Sequence, residues 1–215
     1  HMVEFHYHEH AIALHTEMTV APEDDVDIRR LTLTNDGDAP RKLQLTTYGE
    51  VVLAPLAADQ RHSAFTKLFV ESTPLPTGNG LLFRRRPRST HEQPYCLVHM
   101  LVMPFQDASR GVTWESDRAR FLGRHRTPRH PLALETALSN TTGATLDPVM
   151  ALRTVVTLAP RGRVTLAVIT LAAENRTAAL HLAQRYQTWG TIGRAFVRAR
   201  RSAEQELHQL GLEST

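Results

Sequence analysis

Five arginines crowd one short stretch of the chain: Arg118, Arg120, Arg124, Arg126 and Arg129, set in and just after Trp114-Glu-Ser-Asp-Arg-Ala-Arg-Phe-Leu-Gly-Arg-His-Arg126. A guanidinium presents planar, forked donors that match carboxylates, phosphates or sugar hydroxyls, so several held on one turn can recognise an oxygen-rich ligand. The same stretch carries Glu115 and Asp117. Charge clusters are usually solvated surface whose members pair with one another, and spacing alone favours that plainer reading.

Other residues capable of chemistry are scattered. His6, His8 and His10 alternate along one strand face with Glu9 nearby, and imidazoles two residues apart on a strand can share a metal. No fourth ligand lies close in sequence, so a half-exposed strand face is the better account, and neither these nor His15, His62, His91, His99, His125, His130, His181 and His208 are assigned a metal. Hydrolysis of a glycoside needs two carboxylates framing a bond, and the sequence places no such pair. Asp24, Asp25 and Asp27 suit a turn at a strand entrance, while Glu50, Glu115 and Asp117 can hold arginines. The one cysteine, Cys96, lies in an apolar run, where a buried inert thiol is expected; it excludes an internal disulfide. Neither a Gly-x-Ser-x-Gly elbow nor a phosphate-cradling Gly-x-x-x-x-Gly-Lys-Ser/Thr loop occurs. No catalytic residue and no cofactor are expected.

The elements that must position these residues read as strands first. Residues 3–12 and 12–20 alternate, and 25–35 places Val26 and Ile28 inward and then Leu31 and Leu33, with a slip of register between the two pairs. Asn35-Asp-Gly between this run and the next, 41–53, is a hairpin signature. A polar loop at 58–63 precedes a short strand over 65–71, and a further strand begins at Leu81. Residues 95–103 form a continuous apolar strand covered on both faces. The arginine stretch begins as a strand with Val112, Trp114, Ser116 and Arg118 on one face and breaks at Gly123. Two more strands follow, 149–158 and 163–172. Strands at intervals of roughly ten residues with turns between them indicate a sandwich of antiparallel sheets, all-β, and no helix–strand alternation appears before residue 173. The period then changes. Asn175 is a fitting N-cap for a helix with Ala179, Leu182, Ala183 and Tyr186 on one face. A second helix after Trp189-Gly190 aligns Ala195, Phe196, Ala199, Ala203, Leu207 and Leu210, with Gly211 able to stop it. The expected division is a sandwich over 3–173 and a helical segment over 174–212.

Composition narrows the function classes. A chain of 215 residues, 41% hydrophobic and 22% charged, suits a globular domain with a substantial core. No run approaches the roughly 18 apolar residues of a membrane span, and no secretory signal is legible. His1-Met2 reads as the scar of a trimmed expression tag, implying a piece excised from a longer chain. Net charge is +3, and only Lys42 and Lys67 are lysines. Arginines interspersed with acids argue against a nucleic-acid partner despite the basic balance.

Longer motifs carry a resemblance. Tyr48-Gly-Glu-Val-Val-Leu-Ala-Pro-Leu-Ala-Ala-Asp59, His62-Ser-Ala-Phe-Thr-Lys-Leu-Phe-Val-Glu71, Arg84-Arg-Arg-Pro-Arg88, Glu115-Ser-Asp-Arg-Ala-Arg-Phe-Leu-Gly-Arg124, Thr142-Gly-Ala-Thr-Leu-Asp-Pro148 and Arg194-Ala-Phe196 resemble cyclic β-1,2-glucan synthases. Within these, the match is to the β-supersandwich region shared with glycoside hydrolase family 94 phosphorylases such as cellobiose and chitobiose phosphorylase. It runs from about Glu4 to Gly211. Two positions depart from the pattern: Ser63 stands where proline is usual, and His125 where a small residue such as glycine is expected.

The resemblance implies a galactose-mutarotase-like supersandwich followed by linker helices. In that family the general acid and most phosphate contacts belong to a later (α/α)₆ barrel, so this piece is not expected to cleave glycosides alone. The parent is implied to be a large transferase, a glycosyltransferase of polysaccharide biosynthesis, on the cytoplasmic side of the inner membrane. The piece itself is expected to be soluble, with the adjacent catalytic domain and a second copy in a homodimer as protein partners. β-Glucan or an oligosaccharide is the implied ligand. By motif position Arg124 is the first choice for sugar or phosphate contact, followed by Arg118, Arg120 and Arg126. In a chain only 6% aromatic, Trp114 is the better-placed platform for a sugar ring, while Trp189 is expected between helix and sheet. The alternatives are a stand-alone mutarotase-like enzyme, which needs a converging acid and base, and a basic nucleic-acid-binding module.

Overall fold

Strand β3 (Val26–Asn35) shows how the layers arise, because it carries two apolar sets on opposite faces. Val26 and Ile28 point to one core, and Leu31 and Leu33 to another. Its pairing is continuous on both sides, from Val26 to Thr34 against one neighbour and from Asp27 to Asn35 against the other. There is therefore no slip of register. The apparent shift in pattern is the strand passing from beneath a helical layer to beneath a second sheet.

The chain is described here from a computed structural model covering residues 1–89, 92–103 and 111–211; His91 and Leu212 lie outside the described residues. Strands β1 (Val3–Glu9), β2 (Ile12–Val20), β3, β4 (Arg41–Thr46), β5 (Val70–Pro74), β6 (Gly80–Arg85), β7 (Cys96–Val102), β8 (Thr113–Asp117), β9 (Gly143–Ala144), β10 (Pro148–Leu158) and β11 (Arg163–Ala173) build two antiparallel sheets. The larger has eight strands in the order β1-β2-β3-β11-β7-β6-β5-β9, and the smaller three, β4-β10-β8. Between the sheets lies a core that includes Leu81, Phe83, Leu101, Leu152, Leu158 and Leu166, each at most 1% exposed. Burying each such side chain stabilises the fold by about 1.5–3 kcal/mol.

The opposite face of the large sheet is covered by α3 (Arg176–Arg185) and α4 (Trp189–Gln209), through Ala179, Ala183, Tyr186, Ile192 and Ala195. Asn175 caps α3 by accepting from the Ala178 amide at 2.9 Å. Trp189 packs at this helix–sheet contact. The expected stripe on α4 is buried only as far as Ala199, and Leu210 is 72% exposed. Asp24 does more than shape a turn: it accepts from the Tyr186 hydroxyl at 2.7 Å and from Arg185, tying the β2–β3 loop to α3.

Three expectations change. Residues 58–63 and the start of the expected strand belong to helix α1 (Leu56–Lys67), which departs from helical angles at His62 and buries only Thr66. A helix with almost no buried face leaves no apolar period to read. The expected strand over 41–53 ends at Thr46, although the amides of Thr47, Gly49 and Val51 go on donating to carbonyls of β10 and Glu50 bridges to Val149. Finally, Asn35-Asp-Gly does not close a hairpin: β3 and β4 belong to different sheets. Asn35 is fully buried, and its side-chain amide donates to the carbonyls of Ala39 and Ala159 at 2.8 and 2.9 Å. It thereby locks this sheet-to-sheet crossing against another, between β10 and β11.

Candidate functional site

The arginine stretch is built on the outer face of the small sheet. Asp117 ends β8 and caps a one-turn helix α2 (Arg118–Leu122) by accepting from the Ala119 amide at 2.8 Å, so the strand turns into a helix one residue earlier than the alternation implied. Phe121 and Leu122 are buried with Ala133, Leu138, Val149 and Ala151 in a third, small core, and Tyr48 stacks on Phe121. Gly123 follows with φ 79° and ψ 163°, a region essentially reserved for glycine, and a Cβ there would lie 2.7 Å from the Leu132 Cβ. His125 adopts φ 60°. The position where glycine is expected is thus a left-handed one, which a histidine occupies at a steric cost.

The base under this loop is rigid. Arg153, 6% exposed, donates to the Thr46 hydroxyl at 2.9 Å, to the Thr136 carbonyl at 2.7 Å and to the Ala133 carbonyl. It has no acid partner among the described residues, and burial lowers its pKa below the usual arginine value. Glu115, 1% exposed, accepts from the amides of Ser116 and Asp117 at 3.0 Å and of Ser139 at 3.4 Å. The expectation that it holds an arginine is replaced by this backbone cradle.

The five arginines divide. Arg118 donates to Glu50 at 3.1 Å and stands 3.7 Å from Asp147, while Lys67 bonds Asp147 at 2.7 Å and stands 3.8 Å from Glu50. Two cations and two anions close a ring that joins α1, the segment after β4, α2 and the turn before β10. Tyr48 donates to Glu50 at 3.3 Å; its pKa is raised by burial, with Arg118 pulling the other way. Arg126 pairs with both oxygens of Glu135, one at 2.9 Å, which raises the arginine pKa and lowers that of the acid. Arg120, Arg124 and Arg129 are exposed and have no hydrogen-bond or ion-pair partner among the described residues. Arg120 borders a shallow hollow of about 260 Å³ whose other walls include Glu115, Leu132, Thr136 and Ser139. Trp114 is half-buried against the inter-sheet core, and its buried indole nitrogen has no partner among the described residues.

Two other groups bear on chemistry. Cys96 is buried, and desolvation raises its thiol pKa, as an inert structural thiol requires. Among the described residues, the side chains within metal-ligand reach of one another are Glu4, His6 and His15; His8 and His10 point their nitrogens at Asp36 and Glu9 instead. The local alternation hid this grouping, because it depends on which residue of β2 faces His6.

A large antiparallel sheet packed on a smaller one, with helices covering its far face, defines the protein as an all-β supersandwich with C-terminal helices. The chain belongs to the glycosyl hydrolase 94 supersandwich family, whose model matches residues 1–189. It is 32% identical over 200 residues to cyclic beta-(1,2)-glucan synthase NdvB of Rhizobium meliloti (strain 1021), covering 92% of this chain and 7% of that protein. Among solved structures, a polysaccharide lyase aligns over 86% of the chain and 23% of its own length at 11% identity and TM-score 0.48. An α-galactosidase from Lactobacillus brevis aligns over 86% and 25% at 11% identity and TM-score 0.36. No described helix is long and apolar enough to cross a membrane.

Proposed function

We propose that this chain is a non-catalytic scaffolding sandwich of a cyclic β-1,2-glucan synthase, contacting glucan through the exposed side chains of Arg124 and Arg120. The observation that carries the reading is the division of the arginine cluster. Arg118 and Arg126 are consumed by acids and hold the loop, whereas Arg120 and Arg124 have no partner among the described residues and rise from a base fixed by Gly123 and Arg153. Trp114 takes the place of a core residue in this reading and leaves the glycan contact to the arginines.

A supporting role fits the carboxylates as well. Glu50 and Asp147 are held by Arg118 and Lys67, and Glu115 by backbone amides, so each is engaged in structure. A mutarotase-like reaction needs an acid and a base free to exchange protons with a sugar. In the parent protein, residues 3–173 are the buttress and 174–212 the connection to an adjacent catalytic domain, on the cytoplasmic side of the inner membrane, with homodimerisation through the same buttress.

Titration calorimetry of this chain with β-1,2-glucooligosaccharides tests the reading. Binding heat that falls at least about tenfold in affinity in Arg124→Ala, with Arg129→Ala unchanged, supports it. Equal binding by Arg124→Ala, or salt-sensitive binding to oligonucleotides with no response to sugar, overturns it.

A further inference from the structure

The β1–β2 hairpin carries a histidine pair that the arginine loop does not use. His6 and His15 are directly opposite one another in the pairing of β1 with β2. Their rings stack with centroids 4.3 Å apart and planes 7° from parallel. Glu4, two residues before His6 and therefore on the same face, directs one carboxylate oxygen at both rings: 3.3 Å from the His15 Nε2 and 3.7 Å from the His6 Nε2. One ligand atom from each of the three lies within 4.8 Å of the other two.

These separations have a chemical meaning. A tetrahedral zinc-type ion with ligands at about 2.0–2.1 Å sets its ligand atoms roughly 3.3–3.4 Å apart. The Glu4–His15 distance already matches, and the Glu4–His6 distance needs to shorten by only a few tenths of an ångström. Glu4 and His6 are exposed and His15 half-buried, so their side chains are free to adjust and an ion can enter from solvent. Beside His15 lies an open hollow of about 220 Å³ whose floor includes Thr32 and Thr34 of β3, with room for water ligands. The neighbouring charged groups are otherwise occupied: Glu17, opposite Glu4, is paired with Arg30, and His8 with Asp36.

We propose that Glu4, His6 and His15 form a binding site for a divalent transition ion of the zinc class, with water completing the coordination. Two imidazoles and one carboxylate suit such an ion, whereas calcium and magnesium favour sets made of oxygen alone. Because the ligands come from both strands, the ion staples β1, the exposed edge strand of the large sheet, to β2.

The test is calorimetry of this chain with ZnCl2 in a buffer free of chelators, together with imidazole proton resonances followed through the same titration. The expected result is one ion per chain, an affinity weakened by about tenfold or more in His6→Ala, His15→Ala and Glu4→Gln, and no comparable change in His8→Ala or His10→Ala. In the unsubstituted protein the His6 and His15 resonances move together as zinc is added, a readout independent of whether any variant folds. Absence of binding, or losses in His8→Ala and His10→Ala equal to that in His15→Ala, would overturn the site and assign the ion to unspecific surface histidines.

Discussion

Replacing Gly123 by alanine perturbs the arginine loop at its hinge with a single added carbon. At φ 79° and ψ 163° an L-residue is strained by about 1–3 kcal/mol. The new methyl also meets the Leu132 Cβ at 2.7 Å, an overlap that forces the 3-10 turn Leu132–Leu134 outward and adds about 1 kcal/mol or more. Reduced freedom of the unfolded chain offsets about 0.4–1 kcal/mol. The net loss is about 1–4 kcal/mol. Urea denaturation followed by tryptophan fluorescence should show it as a lower midpoint with an unchanged slope, and thermal melts as a drop of about 2–15 °C for a chain of this size. Leu132→Ala does not rescue the variant, because the overlap is with a Cβ that alanine retains. Arg124, the next residue, is displaced in the same step, so the proposed glucan contact should weaken as well. A Gly123→Ala protein within about 0.5 kcal/mol of the original would refute the backbone conformation on which the whole placement of the loop depends.

Two further outcomes follow from other sites. His125→Gly relieves a left-handed histidine at φ 60° and, after the entropy that glycine adds to the unfolded chain, stabilises the protein by up to about 1 kcal/mol in the same melts. His99, 4% exposed and held between the hydroxyls of Thr47 and Thr170 at 2.9 Å each, has its pKa lowered by burial to about 4 from an ordinary 6.5. Its neutral ring therefore contributes stability that is complete above pH 6.5 and is lost as pH falls towards 4, by about 1.4 kcal/mol per unit between those values. Urea midpoints across that range should flatten in His99→Gln; an unchanged slope would remove His99 as the source.

Much of the layered fold was legible because burial leaves a period. Strands β7, β10 and β11 announce themselves as apolar runs, and α3 by Asn175 followed by residues at helical spacing. What could not be read depended on contacts far away in the chain. Helix α1 buries one residue and shows no stripe. Asn35 looks like half of a tight turn until its partner Ala159 is known, 124 positions later. The arginine cluster was visible, but which members stay free was not, since Glu50, Asp147 and Glu135 come from other elements. The His6–His15 pairing was hidden for a local reason: the turn between β1 and β2 uses His10 and Ala11 at φ 49° and 59°, without the glycine or asparagine that normally marks such a turn and fixes its register.

Strand β11, the last strand of the sandwich in chain order, lies at the middle of the large sheet, between β3 and β7. Until it arrives, the nascent polypeptide holds two half-sheets, β1-β2-β3 and β7-β6-β5-β9, each with a bare hydrogen-bonding rim facing the other. Ribosome stalling or proteolytic clipping before Arg163 would leave both rims open to foreign strands, and such truncated products should clump rather than persist as a smaller sandwich.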